Sequence, residues 1–270
     1  MNNLKLDNLS IVISSCEKFS DLWDTNISLL NKYWKDRPKD TYIVTDEKTD
    51  RTIEGVKIIS SGEGKEMPER LRDAMSYINT DYVLLTLDDY FLIKKVENDD
   101  FESLLLFMDD NNVDYLRLYD IPKENKKVEN EKNLFWVDVS ECYGVNLYAG
   151  IWRKSFLEKT FSDSKNAWNY EVSLDAVARR ENAKCAMSRR HEFVILDVVR
   201  KGRVLHKANR YLKKHGYDIG DRPLQSYKTE LKLFIIGHGK RMLPKSVHKY
   251  AKAVLRRFGF KFFSDQAQNV

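Results

Sequence analysis

Tyr82-Val83-Leu84-Leu85-Thr86-Leu87-Asp88-Asp89-Tyr90-Phe91-Leu92-Ile93 is the stretch on which the fold turns. An apolar run of this kind reads as a strand covered on both faces, as in a parallel sheet. Two adjacent carboxylates, Asp88 and Asp89, interrupt it before aromatic and aliphatic residues resume. At the carboxyl end of a strand they would lie where open α/β sheets bind ligands. Hard oxygen ligands there suit Mg²⁺ or Mn²⁺ bridging a diphosphate. The plain alternative is a strand that ends in a solvated acidic turn.

The flanking sequence repeats the theme. Leu9 to Ile13, Thr41 to Val44 and Val56 to Ile59 read as short strands. Between them, Asp21 to Trp34 carries apolar residues near helical spacing, with Pro38 beyond its end. Met67-Pro68-Glu69 opens a helix running to Tyr77 or Ile78, since proline fits a first turn. Strands alternating with helices imply parallel βαβ units and an α/β fold.

The second half is more mixed. Phe101 to Met108, Arg153 to Phe161 and Asn169 to Arg180 read as helices. Val113 to Leu118 and Phe193 to Val199 read as strands, and Phe135 to Val139 with Leu147 to Trp152 as a hairpin or mixed edge. Beyond Gln225, basic and apolar residues alternate. Two helices broken around Gly237-His238-Gly239 and Pro244 would explain that tail, the second spanning Ser246 to Phe258. Such helices would lie in an anionic membrane interface, or pack their apolar faces on the body.

Composition sets the class. The chain has 270 residues, 32% charged and 42% hydrophobic, which fits a globular protein and not a disordered one. No apolar run approaches the ~20 residues of a membrane span. The amino terminus shows no charged region followed by an apolar core, so no secretory signal is expected. Cys16, Cys142 and Cys185 are too far apart for a disulfide framework or a close-paired zinc site, and read as free thiols in a reducing cytoplasm. The net charge of +5 hides an asymmetry: Arg200 to Lys261 holds 18 Lys/Arg against 3 Asp/Glu, so the rest of the chain is acidic. A basic carboxyl-terminal third expects an anionic surface or ligand.

Several segments together resemble bacterial glycosyltransferases of the glycosyltransferase-A fold, especially those of capsule and surface-polysaccharide clusters. They are Ile11-Val12-Ile13-Ser14-Ser15-Cys16, Val44-Thr45-Asp46, Tyr82 to Leu92, Gly150 to Leu157, Ala167 to Glu171 and Val199 to Arg203. The likeness covers roughly residues 9 to 215 and rests on order and spacing. It implies an α/β Rossmann-type mixed sheet flanked by helices, with a catalytic domain over 1–222 and a basic helical carboxyl-terminal extension over 223–270. Asp46 would approach the nucleobase of a sugar nucleotide, and Ser14 and Ser15 would line its site. Arg70 and Arg72 lie where such enzymes often contact the donor. Asp88 and Asp89 would stand in for the Asp-X-Asp metal motif, from which Leu87-Asp88-Asp89 departs. Asp89 is assigned to the metal, and Asp88 to the ribose or to metal support.

Glu171 is the candidate general base of an inverting transfer, which needs a carboxylate to take the acceptor hydroxyl proton. Trp168 would offer a sugar ring an apolar platform, and Asp175, one helical turn on, is the substitute base. The plain reading of Glu171 is a helix with an acidic first turn. His206 would complete a metal site, or simply be solvated. Lys201, Arg203 and Lys207 would neutralise a leaving diphosphate.

The expected activity is therefore transfer of a sugar from a nucleotide-sugar donor, with Mn²⁺ or Mg²⁺, to a glycan or lipid-linked acceptor. The expected location is cytoplasmic, peripheral on the inner face of a cell membrane, with an anionic membrane surface as partner and no nucleic acid. The alternatives are a sugar-nucleotide nucleotidyltransferase and a non-enzymatic anionic-polymer binder. The first usually carries a glycine-rich basic loop after its first strand, where this chain has Ser14-Ser15-Cys16-Glu17-Lys18.

Overall fold

Every residue of Leu9–Ser14 and Thr41–Thr45 is buried, as are all but the last of Tyr82–Leu87, so these apolar runs form strands covered on both faces. The computed structural model describes residues 6–140, 143–162 and 167–242. In chain order, β1 (Leu9–Ser14) leads through a 3-10 helix at Glu17–Leu22 into α1 (Trp23–Tyr33). Then come β2 (Thr41–Thr45), β3 (Lys57–Ser60), α2 (Met67–Met75), β4 (Tyr82–Leu87), β5 (Tyr90–Leu92) and α3 (Asn98–Asp110). β6 (Tyr115–Arg117), β7 (Leu134–Trp136), β8 (Gly150–Arg153), α4 (Lys154–Lys159), α5 (Ala167–Arg180) and β9 (Cys185–Ser188) follow. The described chain closes with β10 (Ile195–Asp197), β11 (Val199–Arg200), β12 (Arg203–Val204), α6 (His206–Lys214) and α7 (Tyr227–Met242).

Eight strands form one mixed sheet in the order β3-β2-β1-β4-β8-β6-β9-β7. β1 pairs in parallel with β2 and β4, and β3 in parallel with β2. β8 is antiparallel to both β4 and β6. The result is the α/β, Rossmann-type mixed sheet flanked by helices that the sequence reading expected. Alternation along β1 divides the core: Ile11 and Ile13 pack with Trp23, Trp34 and Phe101, while Val12 packs with Leu71, Met75 and Phe156. A third cluster joins Phe91, Leu196, Val204 and Leu212 to Leu22 and Leu29. After β1 the chain moves to β2 and β3, then returns to place β4 on the other side of β1. That reversal opens a crevice between the carboxyl ends of β1 and β4, where ligands settle in sheets of this kind.

Two expectations are corrected. The segments around Phe135 and Trp152 do not pair with each other: β7 pairs with β9, and β8 inserts between β4 and β6. Gly150 permits that insertion, since a Cβ there would meet the Tyr115 ring at 2.8 Å. The expected helix break at Gly237-His238-Gly239 is absent, because α7 runs through it to Met242. Glycine weakens a helix interior by about 1 kcal/mol but does not bar it, as proline would. After the carboxylates, apolar Tyr90–Leu92 turns out of the main sheet and pairs with β10. The expected helix from Ser246 lies outside the described residues, as does Cys142.

Among the described residues one cation is wholly buried. Arg117, at the end of β6, donates to the carbonyls of Tyr119, Pro122, Tyr143 and Gly144 and lies 3.6 Å from a Glu124 carboxylate oxygen. It ties the chain leaving β6 to the chain approaching β8. Arg117→Met keeps the volume but strands the carbonyls and a buried carboxylate. It should cost about 3–5 kcal/mol in urea unfolding, and a loss below about 1 kcal/mol would show that the guanidinium holds little.

Candidate functional site

The site is built at the end of β4. The Asp88 N–H donates to the Ser14 carbonyl across the crevice (3.2 Å). The Ser15 hydroxyl donates to Asp88 Oδ2 (2.5 Å) and accepts from the Trp23 indole N–H (2.7 Å). Asn26 Nδ2 donates to the carbonyls of Asp88 (2.9 Å) and Tyr90 (3.4 Å). On the far side, Val198 N–H donates to the Asp89 carbonyl (2.9 Å). The two-carboxylate turn is thus clamped from β1, α1 and the β10–β11 connection.

Burial pushes the Asp88 carboxyl up to about 7, even with the Ser15 hydrogen bond and the charges of Arg222 and Arg70 opposing it. Asp89 is raised well above the ordinary carboxylate range by burial, then by the charges of Asp88 and Asp197. Its Oδ1 is buried with no hydrogen-bond partner among the described residues. Such an oxygen is costly unless a cation or donor arrives. Mg²⁺-type sites use one or two carboxylates together with substrate phosphates. Asp88 and Asp89 therefore fit a divalent cation shared with a diphosphate. Among the described residues no group of three or more His, Cys, Asp or Glu is arranged to hold a metal by itself.

Asp46 ends β2 beside this crevice. Its Oδ1 accepts the backbone N–H groups of Glu17 (2.7 Å) and Glu47 (3.0 Å). Burial alone would raise its carboxyl, but these bonds and the charge of Arg70 outweigh it and hold the carboxyl below its ordinary value. Arg70 donates to the Lys65 carbonyl, while its buried Nε has no partner among the described residues. It acts electrostatically on Asp46, Asp88 and Cys16 alike. Arg72 turns elsewhere, donating to the Phe161 carbonyl beyond α4.

The other sequence candidates fall into three groups. Glu171, on α5, is half-buried and its charge is felt by the Tyr148 hydroxyl. Burial first, then Tyr119, Asp197 and Glu171, push that hydroxyl up to about 12, with Arg200 opposing. The Trp168 side chain lies outside the described residues. Asp175 has both oxygens engaged, accepting from Tyr143 N–H and Val145 N–H (2.8 Å). That pattern fits a loop anchor better than a spare base. His206 is engaged with α7: Glu230 Oε1 accepts its backbone N–H (2.6 Å) and lies 3.0 Å from its Nδ1, and Tyr227 stacks on its ring at 3.9 Å. The structure does not gather it with Asp88 and Asp89 into one ligand set.

Lys201 and Arg203 flank the tip of the β11–β12 hairpin. With Lys18 and Arg222 they line an open cleft of about 620 Å³. Arg222 escaped the sequence reading. It grips Asp21 through Nε (2.5 Å) and Nη2 (2.6 Å), and lies over the Phe19 ring. Asp197 escaped it too; it pairs with Arg200 at 2.7 Å and acts on Asp89. Arg222 is far in sequence from Asp21, and Asp197 from Asp89, so no local pattern ties either to the site.

No family model matches the chain, and no curated protein matches it. Among solved structures, it is similar to S. aureus TarS 1-349 in complex with UDP-GlcNAc, at 15% identity and TM-score 0.47, covering 73% of this chain and 60% of that one. It is similar to the mannosyltransferase PcManGT from Pyrobaculum calidifontis in complex with GDP-Man and Mn²⁺, at 10% identity and TM-score 0.47, covering 72% and 58%. A cytidylyltransferase from Leptospira borgpetersenii is similar at 13% identity and TM-score 0.48, covering 86% and 95%. The chain spans 36% of the length of the longer TarS structure.

The anchoring role of Asp175 has a pH signature. Its carboxyl sits at about 6, raised by burial from an ordinary 3.8. A raised folded value binds the proton more tightly in the native state, so its contribution to stability is present below about 4 and lost as pH rises through about 6. Asp175→Asn should remove that part of the decline, so the loss from leaving one backbone N–H unpaired should be largest at pH 4 and shrink toward pH 7. Urea midpoints at pH 4, 5, 6 and 7 measure both effects; an unchanged slope and midpoint would contradict the role.

Proposed function

We propose that this protein is a glycosyltransferase, moving a sugar from a nucleotide-sugar donor to a glycan or lipid-linked acceptor in bacterial surface-polysaccharide biosynthesis. The carrying observation is the clamped Asp88–Asp89 turn at the crevice between β1 and β4, with its orphaned carboxylate oxygen. A Mn²⁺ or Mg²⁺ ion held by Asp89, with Asp88 in support, would neutralise charge on the donor diphosphate. Asp46 and Arg70 stand beside the crevice to meet the nucleoside, with the Ser14–Ser15 backbone forming its wall. Ser15 serves through Asp88 here, since its hydroxyl is spent on that carboxyl.

Glu171 would take the acceptor hydroxyl proton as the oxygen attacks the anomeric carbon. The bond from that carbon to the diphosphate breaks, the nucleoside diphosphate leaves with the electron pair, and the configuration inverts. Glu171 is half-buried and its charge acts on the half-buried Tyr148 hydroxyl, which supports a base on that side of the site. The competing nucleotidyltransferase reading lacks its usual loop: after β1 the chain enters a 3-10 helix with no glycine from Ser14 to Leu22.

The extension fits attachment to an anionic membrane from the cytoplasmic side. Tyr227, Leu231, Phe234 and Ile235 share one face of α7 and are exposed, alongside Lys228 and Lys232. No helix among the described residues is long and apolar enough to cross a membrane. Exposed apolar residues flanked by lysines suit a helix lying in the interface.

Asp89→Asn should abolish transfer while the metal-free protein stays as stable or gains stability, because a neutral amide replaces a buried like-charged carboxylate. Turnover near wild type would defeat the assignment. Glu171→Gln should keep donor affinity and lower turnover by about 10²-fold or more. Ordinary turnover there, or a product that retains configuration, would rule out the base mechanism. For the membrane, Leu231→Ser/Phe234→Ser/Ile235→Ser should release the protein from anionic vesicles in flotation assays while leaving its melting temperature in place. Unchanged flotation would remove α7 from the membrane contact.

A further inference from the structure

The cleft between the Glu17–Leu22 helix and the β11–β12 hairpin has an unusual floor. Four cations line it, Lys18, Lys201, Arg203 and Arg222, against two carboxylates, Asp21 and Asp221. Arg222 already neutralises Asp21 through two hydrogen bonds. Lys18, Lys201 and Arg203 then face Asp221 alone, a local excess of two positive charges. The hairpin tip is strained to this end. Lys201 and Gly202 both hold positive φ, +54° and +72°. A two-residue turn of this kind favours Asn-Gly, so lysine at its first position is the costly choice. The compensation is an ammonium at the lip of the cleft.

The placement indicates which anion would come. The cleft continues in the chain directly into both carboxyl-terminal helices: Arg203 lies three residues before α6, and Pro223 four residues before α7. α7 carries the exposed apolar face described above. On its inner side, Arg222 reaches electrostatically to Asp88. The cleft thus adjoins, along the chain, the helix proposed to meet the membrane, and through Arg222 acts on a carboxylate proposed to hold the donor. We propose that it is a second anion site, which takes the phosphate or diphosphate group of a lipid-linked acceptor. Lys18, Lys201 and Arg203 bind the phosphate oxygens, and Arg222 forms the wall shared with the donor site. In this assignment Lys201 and Arg203 serve the acceptor and not the leaving donor diphosphate. The inference rests on the glycosyltransferase reading for the meaning of the acceptor.

The test is direct binding of farnesyl diphosphate, kept below its micellar concentration, beside UDP and GDP with Mn²⁺. The probes are wild type, Lys18→Gln and Lys201→Asn; asparagine tolerates the positive φ, so the hairpin is preserved. Wild type should bind farnesyl diphosphate, each variant should weaken it by at least about fivefold, and higher salt should weaken it further. Lys18→Gln should leave nucleotide binding within about twofold. Equal loss of nucleotide and farnesyl diphosphate in Lys18→Gln would make the cleft the donor's own diphosphate seat and overturn the proposal. So would wild type that binds nucleotide but not farnesyl diphosphate, which leaves the transferase reading standing. Wild type that binds farnesyl diphosphate but no nucleotide would sink the transferase reading and keep the anion site.

Discussion

Two carboxylates adjacent in sequence, at the end of a strand buried on both faces, set the main constraint on this molecule. Like charges this close cannot both ionise cheaply in a poorly solvated place. The surroundings answer with fixed partners. Ser15 gives Asp88 a hydroxyl, Trp23 fixes that hydroxyl, and Asn26 holds the turn's carbonyls. What they leave undone is the Asp89 Oδ1, buried and unpaired among the described residues. A turn held this tightly, yet left electrostatically incomplete, is preorganised for a ligand that brings positive charge.

A second set of fixed groups shapes the opposite wall. Arg117 and Asp175 sit on different elements, but both bind the backbone of Tyr143 to Val145. A buried cation holds the carbonyls and a buried carboxylate holds the amides. Between them they set the path of the chain toward Tyr148, which stacks between Tyr90 and Tyr119. Tyr90 follows Asp89 directly, and Tyr148 feels the charge of Glu171. Arg117 and Asp175 thus fix the chain leading to an aromatic row that starts beside the proposed metal carboxylate and feels the charge of the proposed base.

In the sheet's parallel half, β1, β2 and β4 were legible because they are buried on both faces and rich in apolar residues. β9 was not, since Cys185-Ala186-Met187-Ser188 has no β-branched residue to mark it. Of the two alternatives for Phe135 to Val139 and Leu147 to Trp152, the hairpin fails because strand order in a mixed sheet depends on pairings distant in sequence, such as β8 entering between β4 and β6, while β7 does lie at the mixed edge. The end of β1, Asp46 and Arg70 were singled out by the resemblance, and the Asp88–Asp89 pair by its position at a strand's carboxyl end. Arg117 was read only as a strand residue, because an arginine without solvent exposure runs against its type. Arg222 and Asp197 act across the fold, and the partner of Arg222 lies 201 residues away. His206 shows the converse: a metal-ligand type whose partner, Glu230, could be known only once α7 was seen to cap α6.

Asp88 and Asp89 are proposed to hold a cation together with a nucleoside diphosphate. Calorimetric titration of UDP, GDP, CDP and ADP, with and without Mn²⁺, tests it most directly. At least one nucleotide should bind about tenfold or more tightly in the presence of Mn²⁺, and that nucleotide should tighten Mn²⁺ by the same factor, as reciprocal coupling requires. If no nucleotide binds, or if binding is indifferent to the metal, the carboxylate turn is not a donor site and the account built on it fails.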